Sequence, residues 1–310
     1  MDAFNRISRR KANQLLALGA GSLLIDPLSK ININSKMNTR LIPSSNEAIP
    51  MVGLGTWQTF DVGDSREERE PLKEVLKILV DNGGSVIDSS PMYGRSEKVL
   101  GDLTSEMNIH EGLFEATKVW TSGLQAGKDQ IQRSMDLMQA KPLDLLQIHN
   151  LLDWKTHMST LKDMKASGKI RYIGITHYHQ GGYPEMERIM KKEDIDFIQI
   201  NYNLAVRNAA DRILPLAANK GIAVLINRPY EGGTLFRKFS GDELPEWSAE
   251  FDADSWGQFF LKFILANEAV SCVIPGTSKA KHMKDNVRAG FGRLPNKKHL
   301  AKMIRMAQSI

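Results

Sequence analysis

Short apolar segments alternate with amphipathic helical segments through most of the chain, and this alternation constrains the fold more than any other feature. Nearly continuous apolar strands separated by helices are typical of a parallel sheet covered by helices. Counted from Met51, there are eight strand–helix units, the number that closes a (β/α)8 TIM barrel. Strands are predicted at 51–55, 85–87, 113–118, 143–149, 170–176, 197–201, 222–226 and 270–274.

A doubly wound open sheet is the competing α/β architecture. Its dinucleotide-binding form requires G-x-G-x-x-G after the first strand, and Gly53-Leu54-Gly55-Thr56-Trp57 does not fit that pattern. We therefore predict a barrel, with a short hairpin before it at 39–49 and an extra C-terminal helix at 297–308. Because no linker or change of composition follows Met37, residues 37–310 are predicted to form a single domain.

The net charge of +5 lies mostly in residues 1–36, where six basic and two acidic side chains leave about +1 for the remainder. Since the body carries no concentrated basic patch, nucleic acid is excluded as a partner. Arg9 and Arg10 precede an apolar run at 15–25, which is the layout of an export signal. The paired arginines resemble a twin-arginine leader, although no A-x-A cleavage site follows. We predict a leader that engages export machinery and delivers the protein to the periplasm; a disordered extension on a cytoplasmic protein is the alternative.

Polar side chains follow most of the predicted strands, at the ends where TIM barrels place their chemistry. A hydrophobic core avoids such groups, whereas an active site requires them. Asp88 ends the second strand, and Tyr93 lies just beyond it. Lys118 ends the third strand and His149 the fourth. An acid, a phenol, a cation and an imidazole at neighbouring strand ends indicate proton-transfer chemistry.

The run Gly84–Gly101, with Asp88, Tyr93 and Ser96-Glu97, resembles the signature of the aldo-keto reductases. The resemblance covers nearly everything from Met51 to Asn286. Its other segments are Met51–Trp57, Ala116–Trp120, Leu146–Asn150 and Ile274–Ser278. It implies a TIM barrel that reduces an aldehyde or ketone to an alcohol, or catalyses the reverse reaction, by hydride transfer from a nicotinamide cofactor.

The resemblance implies Asp88, Tyr93, Lys118 and His149 as a catalytic tetrad. Carbonyl reduction needs a proton on oxygen as well as a hydride on carbon, and Tyr93 is the expected general acid. A free phenol has a pKa of about 10, and the Lys118 ammonium is expected to lower that of Tyr93. Asp88 is expected to position Lys118, and His149 to donate to the carbonyl oxygen.

The resemblance also implies a cofactor site along the strand ends. Tyr202 is expected to stack on the nicotinamide ring and Gln199 to bind its carboxamide, although His177 stands where the family usually has asparagine. The other predicted cofactor-binding residues are Gly55, Thr56, Trp57, Asn150, Thr176, His177, Arg228, Pro229, Gly276, Thr277, Ser278, Lys279, His282, Asp285 and Asn286. Trp57, Trp120 and Tyr230 are predicted to line the substrate pocket.

The segment after the last strand bears on the choice between NADP(H) and NAD(H). Gly276-Thr277-Ser278 opens the last barrel helix, where backbone amides favour an anion. Gly276 stands where many members of the family have lysine, and His282 where they have arginine. Lys279 or Lys281 can supply the missing charge, so we predict NADP(H) over NAD(H).

Two other functions remain open at this point. His177 and His179, with His149, suggest a metal-dependent hydrolase, but alternate strand residues face opposite sides and zinc sites need three or four ligands. The single cysteine, Cys272, lies in an apolar run and adds no CxxC metal site. The second alternative is a cofactor-binding sensory protein without turnover. We expect no metal, a small-molecule carbonyl or alcohol as substrate, and a monomer by default.

Overall fold

The computed structural model describes residues 36–309, and the predicted leader lies outside them apart from Lys36. A hairpin of β1 (Thr39–Leu41) and β2 (Ala48–Pro50) precedes eight parallel strands. These are β3 (Leu54–Gly55), β4 (Val86–Asp88), β5 (Phe114–Val119), β6 (Leu143–His149), β7 (Ile170–Thr176), β8 (Phe197–Asn201), β9 (Ala223–Asn227) and β10 (Cys272–Val273). The predicted barrel and hairpin are confirmed.

Helices follow the strands and cover the outside of the sheet. Those that follow β3 to β8 are α1 (Arg66–Asp81), α2 (Ser96–Glu106), α3 (Leu124–Met138), α4 (Trp154–Ala166), α5 (Tyr183–Lys192) and α6 (Ile213–Lys220). Then come α7 (Thr234–Lys238), α8 (Trp256–Leu265), α9 (Ala280–Arg288) and the predicted extra helix α10 (Lys297–Ser309). Within residues 36–309 no helix combines the length and apolarity needed to cross a membrane.

The barrel closes where the first and last strands meet. Gly53 donates to the carbonyl of Val273 at 2.9 Å, and Val273 donates to that of Met51 at 2.9 Å. Gly55 opposes Gly276 across this seam. A Cβ on Gly55 would lie 2.9 Å from the carbonyl oxygen of Ile274, too close for any side chain. Glycine at position 55 therefore lets the two strands approach.

The N-terminal end of the barrel is filled by apolar side chains. Phe114, Tyr172 and Phe197 point inward from β5, β7 and β8, with ring centroids 5.5–5.8 Å apart. Ile42 and Ile49 of the hairpin join the same buried cluster. Since this end is plugged, a site for small molecules has to lie at the opposite, C-terminal end of the strands.

Arg40 joins the hairpin to the far end of the chain. Its guanidinium donates to the carbonyls of Leu265 at 2.7 Å, Asn267 at 2.5 Å and Val270. These carbonyls lie at or just beyond the C-terminus of α8, where backbone oxygens lack intrahelical partners. One side chain thus satisfies three of them and holds the hairpin against the barrel.

The segment between β9 and α8 is not an extended loop. It contains α7 and a 3-10 helix at Glu246–Phe251. Phe239 and Phe251 are buried. Trp247 stacks on His299 of α10, with ring centroids 6.0 Å apart. The aromatic side chains of this segment pack mainly between α8 and α10, where they contact the phenylalanines of α8 and His299.

Glu115, on β5, is a buried carboxyl near the plugged end. One of its oxygens lies 3.2 Å from Nδ1 of His110, and the other has no hydrogen-bond partner. Its backbone N–H donates to Asp144 at 2.7 Å. Burial raises the pKa of Glu115 to about 7, although His110 opposes the shift.

We predict that Glu115→Gln stabilises the protein at alkaline pH. Because the folded-state pKa exceeds the unfolded one, this carboxyl's stabilising contribution is complete below about pH 4.5 and is lost as the pH rises through about 7. In urea denaturation the variant should exceed the wild type by about 3 kcal/mol at pH 8 and match it near pH 4. Glu111→Gln, at an exposed neighbouring position, is the control. A difference independent of pH would contradict the assignment.

Candidate active site

A buried ion pair lies at the C-terminal end of the barrel. Nζ of Lys118, at the end of β5, donates to Oδ2 of Asp88 at 2.6 Å and to the carbonyl of Ser89 at 2.6 Å. Lys118 is fully buried and Asp88 is 2% exposed. Burial opposes the charge on Lys118, but Asp88 and Tyr93 outweigh it and raise the pKa of the ammonium. Lys118 therefore stays charged.

Two amides hold the other oxygen of Asp88. Nε2 of Gln147 donates to Oδ1 at 2.9 Å, and Nε2 of Gln199 donates to it at 2.8 Å. Gly174 of β7 lies opposite Gln147 of β6, and a Cβ on this glycine would lie 2.9 Å from Cγ of Gln147. The glycine leaves the room that Gln147 needs inside the barrel. Three donors from three strands thus fix the carboxylate.

Tyr93 lies in the loop after β4, above the ion pair. Nζ of Lys118 is 5.1 Å from the centroid of its ring. Burial raises the pKa of the phenol, and Lys118 offsets that effect only in part. The expectation that Lys118 brings this pKa below its usual value is therefore wrong for the protein alone, because the cost of desolvating a phenolate is larger.

His149, at the end of β6, completes the predicted tetrad. Its ring meets that of Tyr93 edge-on, with centroids 5.8 Å apart, and lies 6.3 Å from the ring of Trp120. Burial, together with the charges of Lys118 and His177, lowers the pKa of His149 to about 3. The imidazole is neutral at physiological pH. The structure thus brings all four tetrad residues together.

Other predicted site residues lie at or just beyond the same ends of the strands. Thr56 is buried, and its hydroxyl donates to the hydroxyl of Ser89 at 2.9 Å. The hydroxyl of Thr176 donates to Oε1 of Gln199 at 3.2 Å. Trp57 and Trp120 are 46% and 40% exposed, on the loops after β3 and β5. These two indoles are available to a ligand above the tetrad.

The start of α9 forms a polar rim beside the barrel seam. The hydroxyl of Thr277 accepts from the N–H of Lys279 at 3.1 Å. Ser278, Lys279 and Lys281 follow Gly276. Burial and the charges of Lys281 and Lys279 lower the pKa of His282. His282 is therefore neutral at pH 7, and the positive charge here belongs to the lysines.

Several residues that were predicted to bind the cofactor form hydrogen bonds within the protein. Both oxygens of Asp285 accept from the hydroxyl of Ser255 at 2.8 Å, and one also accepts from Gln258 at 2.7 Å. The hydroxyl of Tyr230 donates to Asn286 at 2.6 Å. The hydroxyl of Tyr230 is therefore directed at α9, and its place in the substrate pocket stays a prediction. Pro229 is buried beside it.

Arg228, which precedes Pro229, is also paired within the protein. Its guanidinium lies 2.5 Å from Glu231, whose other oxygen accepts from Asn203 at 2.8 Å. The backbone at Arg228 is left-handed, with φ at 48°. This predicted cofactor-binding arginine thus starts from an ion pair that an anion would have to open.

The prediction that Tyr202 stacks on the nicotinamide ring is wrong. The inward residues of β8 are Phe197, Gln199 and Asn201, so Ile200 and Tyr202 point outward. The ring of Tyr202 packs on Phe263 of α8, with centroids 5.8 Å apart. The side chain is 6% exposed and cannot lie against a nicotinamide ring.

Three inward-facing residues of the site were missed. Gln147 lies two residues before His149, and Ser90 lies two after Asp88. Because side chains two apart on an extended chain face the same side, this spacing could have identified both residues. Asn227, at the end of β9, lies 3.5 Å from Gln199 through its amide nitrogen. Its Oδ1, like Oδ1 of Asn150 and Oε1 of Gln147, is buried without a partner. A ligand with N–H or O–H groups could donate to these three oxygens.

The histidines after β7 form a compact turn. Rings of His177 and His179 are 4.4 Å apart, and Nδ1 of His179 accepts from Gly181 at 3.0 Å. In the part of the chain that is described, no three His, Cys, Asp or Glu side chains are grouped to hold a metal ion. The sequence pattern that suggested a hydrolase is thus a local turn.

Comparison with known proteins agrees with this geometry. The aldo/keto reductase family model matches residues 51–302. Aldo-keto reductase YhdN of Bacillus subtilis is 24% identical over 229 residues, covering 67% of this chain and 68% of that protein. Aldo-keto reductase yakc [NADP(+)] of Schizosaccharomyces pombe is 23% identical over 292 residues, with 79% and 84% covered. The chain belongs to the aldo/keto reductase family.

A solved structure shares the fold. The aldo/keto reductase from Klebsiella pneumoniae in complex with NADP and acetate superimposes with a TM-score of 0.71 at 21% identity. The match covers 88% of this chain and 96% of that one.

We predict that Asp88→Asn lowers the free energy of unfolding by about 3–5 kcal/mol, because it leaves Lys118 buried without a counter-charge. The double variant Asp88→Asn/Lys118→Met should recover most of this loss, since it removes both charges and keeps an acceptor for the two amides. Both are measured by urea denaturation. Asp81→Asn, which breaks an exposed pair with Lys77, is the control and should cost under about 1 kcal/mol. Equal losses in both pairs would contradict the prediction.

Proposed function

We propose that the protein is an NAD(P)H-dependent oxidoreductase that reduces an aldehyde or ketone to an alcohol, or catalyses the reverse reaction. One observation carries the proposal: a charged Lys118 lies beneath the Tyr93 phenol, beside a neutral His149. A proton donor and a neutral hydrogen-bond donor thus face one space. A carbonyl oxygen that becomes an alkoxide needs both.

Each member of the tetrad has a distinct role in this reaction. Tyr93 gives its hydroxyl proton to the carbonyl oxygen, and its raised pKa keeps that proton in place until the oxygen becomes basic. Lys118 stabilises the phenolate that results, and Asp88 with its two amides keeps Lys118 in position. His149 donates to the same oxygen and orients the substrate. A bound nicotinamide cofactor would supply the hydride.

The unpaired oxygens support a nicotinamide at this place. Oδ1 of Asn150 and Oδ1 of Asn227 are buried acceptors without donors at the ends of β6 and β9. Buried polar atoms of this kind cost free energy unless a ligand pairs with them. The amide group of a nicotinamide carries two N–H donors, so its chemistry fits the acceptors.

The rim at α9 supports a phosphorylated cofactor. A helix N-terminus attracts anions, and here it is accompanied by the hydroxyls of Thr277 and Ser278 and the charges of Lys279 and Lys281. Two relatives named above, from S. pombe and K. pneumoniae, carry NADP in their descriptions. We infer NADP(H) over NAD(H) for this chain.

The central prediction concerns Tyr93→Phe. Removing the hydroxyl should lower kcat for NADPH oxidation with reactive aldehydes by about 100-fold or more, because the proton donor is lost. The Kd for NADPH, from fluorescence titration, should change less than about twofold. Tyr172→Phe removes a phenol at the plugged end and is the matched control. Unchanged turnover in Tyr93→Phe would refute the proposal; wild-type protein that binds NADPH but turns over no aldehyde would favour the sensory protein.

A separate prediction concerns the cofactor. Lys279→Ala/Lys281→Ala should raise the Kd for NADPH about tenfold or more and that for NADH about twofold or less, because only NADPH carries the 2′-phosphate. Fluorescence titrations with both cofactors test this. Lys284→Ala, on the same helix and exposed, is the control. Equal losses for the two cofactors would contradict the placement of the phosphate.

We also infer export through the paired arginines in residues 1–36. Arg9→Lys/Arg10→Lys should retain the protein in the cytoplasm if a twin-arginine route carries it. Immunoblots of periplasmic and cytoplasmic fractions measure this, and Lys11→Arg is the control. Cytoplasmic location of the unaltered chain would refute the inference. The monomeric state stays a prediction.

A further inference from the structure

Ser90 occupies a position that the reaction described above does not use. It follows Asp88 and Ser89 directly, and it is fully buried. The two serines serve different partners: the hydroxyl of Ser89 accepts from Thr56, whereas Oγ of Ser90 lies 3.0 Å from Nδ1 of His149. Ser90 is thus the hydrogen-bond partner of the imidazole on the side away from the substrate space.

The hydrogen-bond pattern around Ser90 determines where its proton lies. Oγ already accepts from the backbone N–H of Met92 at 3.2 Å. If Nδ1 of His149 also carried a hydrogen, Oγ would accept twice and its own buried hydrogen would have no acceptor. If Nδ1 is bare, the hydroxyl donates to it, and the buried Oγ hydrogen and Nδ1 are both paired. The second arrangement is favoured, because buried donors without acceptors are costly.

The choice matters because His149 is neutral. A neutral imidazole carries one hydrogen, on either Nδ1 or Nε2. No described residue forms a hydrogen bond with Nε2 of His149. This nitrogen is also not buried, so it is accessible from the space above the ring. The ring itself stands between Tyr93 and Trp120. Nε2 is therefore the nitrogen that faces a ligand.

We propose that Ser90 is a positioning residue, whose hydroxyl donates to Nδ1 of His149 and so keeps the imidazole hydrogen on Nε2, where it is donated to the carbonyl oxygen. This step rests on the proposed function. Without Ser90, both forms of the ring become populated, and molecules with a bare Nε2 present a lone pair to the oxygen of the substrate. Such molecules repel the substrate oxygen instead of binding it.

The tautomer can be measured without any substrate. Long-range proton–nitrogen NMR of protein labelled with 15N-histidine distinguishes the two forms by the couplings of the ring protons, and His149→Gln identifies the signals of His149. We expect a bare Nδ1 and a protonated Nε2 in the wild type at pH 7. A protonated Nδ1 in the wild type would overturn the proposal. Because this measurement needs no turnover, it stands even if no reductase activity is found.

Variants connect the tautomer to the reaction. Ser90→Ala should increase the Nδ1-protonated form and lower kcat/KM for an aldehyde on the order of tenfold to a hundredfold, with the Kd for NADPH within about twofold of the wild type. Ser90→Thr retains a hydroxyl and should restore both the spectrum and most of kcat/KM. Equal kcat/KM and an unchanged spectrum in Ser90→Ala would overturn the proposal.

A matched serine separates positioning from stability. Ser90→Ala also loses the bond from Met92, so a fall in Tm alone carries no information about the imidazole. Ser271 is a buried serine at the other end of the barrel, where its hydroxyl accepts from the N–H of Val224 at 3.0 Å. Ser271→Ala should lower Tm while leaving the His149 spectrum and kcat/KM unchanged. An equal loss of kcat/KM in Ser271→Ala would reduce the effect of Ser90→Ala to destabilisation and overturn the proposal.

Discussion

The ion pair between Lys118 and Asp88 is the interaction on which the arrangement of the site depends. A charge this deeply buried is stable only with a partner and with its remaining donors and acceptors satisfied. The barrel meets that requirement with a carboxylate from β4, two amides from β6 and β8, and a backbone carbonyl. The same ammonium then acts on Tyr93 and His149, stabilising a phenolate in one and suppressing protonation of the other.

The barrel separates stability from chemistry along its axis. At the N-terminal end, aromatic and aliphatic side chains from the strands and the hairpin leave no room for a ligand. Towards the C-terminal end, the inward positions become polar, with Gln147 on β6, Gln199 on β8 and Asn227 on β9. This division explains why the unpaired buried oxygens of Gln147, Asn150 and Asn227 gather at one end, where a ligand can reach them.

Much of the fold was predictable, because eight apolar runs at regular spacing leave few other architectures. The tetrad was predictable from strand ends and from the family signature. Tyr202 was misplaced because a motif was followed where the alternation from Gln199 to Asn201 already assigned an outward position to the next residue. The pKa of Tyr93 was misjudged because the sequence shows that a lysine is near but not how much water is excluded. Ser90 was missed because its role depends on a distance to a residue 59 positions away.

The guanidinium of Arg40 binds carbonyls up to 230 residues further along the chain, and the first barrel strand pairs with the last. A ribosome therefore releases most of this polypeptide before either closure can form. Until β10 emerges, the outer edge of β3 has no strand to pair with, and the guanidinium of Arg40 lacks its three carbonyls. Closure of the barrel is therefore a late event in synthesis, which needs the chain through Gly276 but not the two helices that follow it.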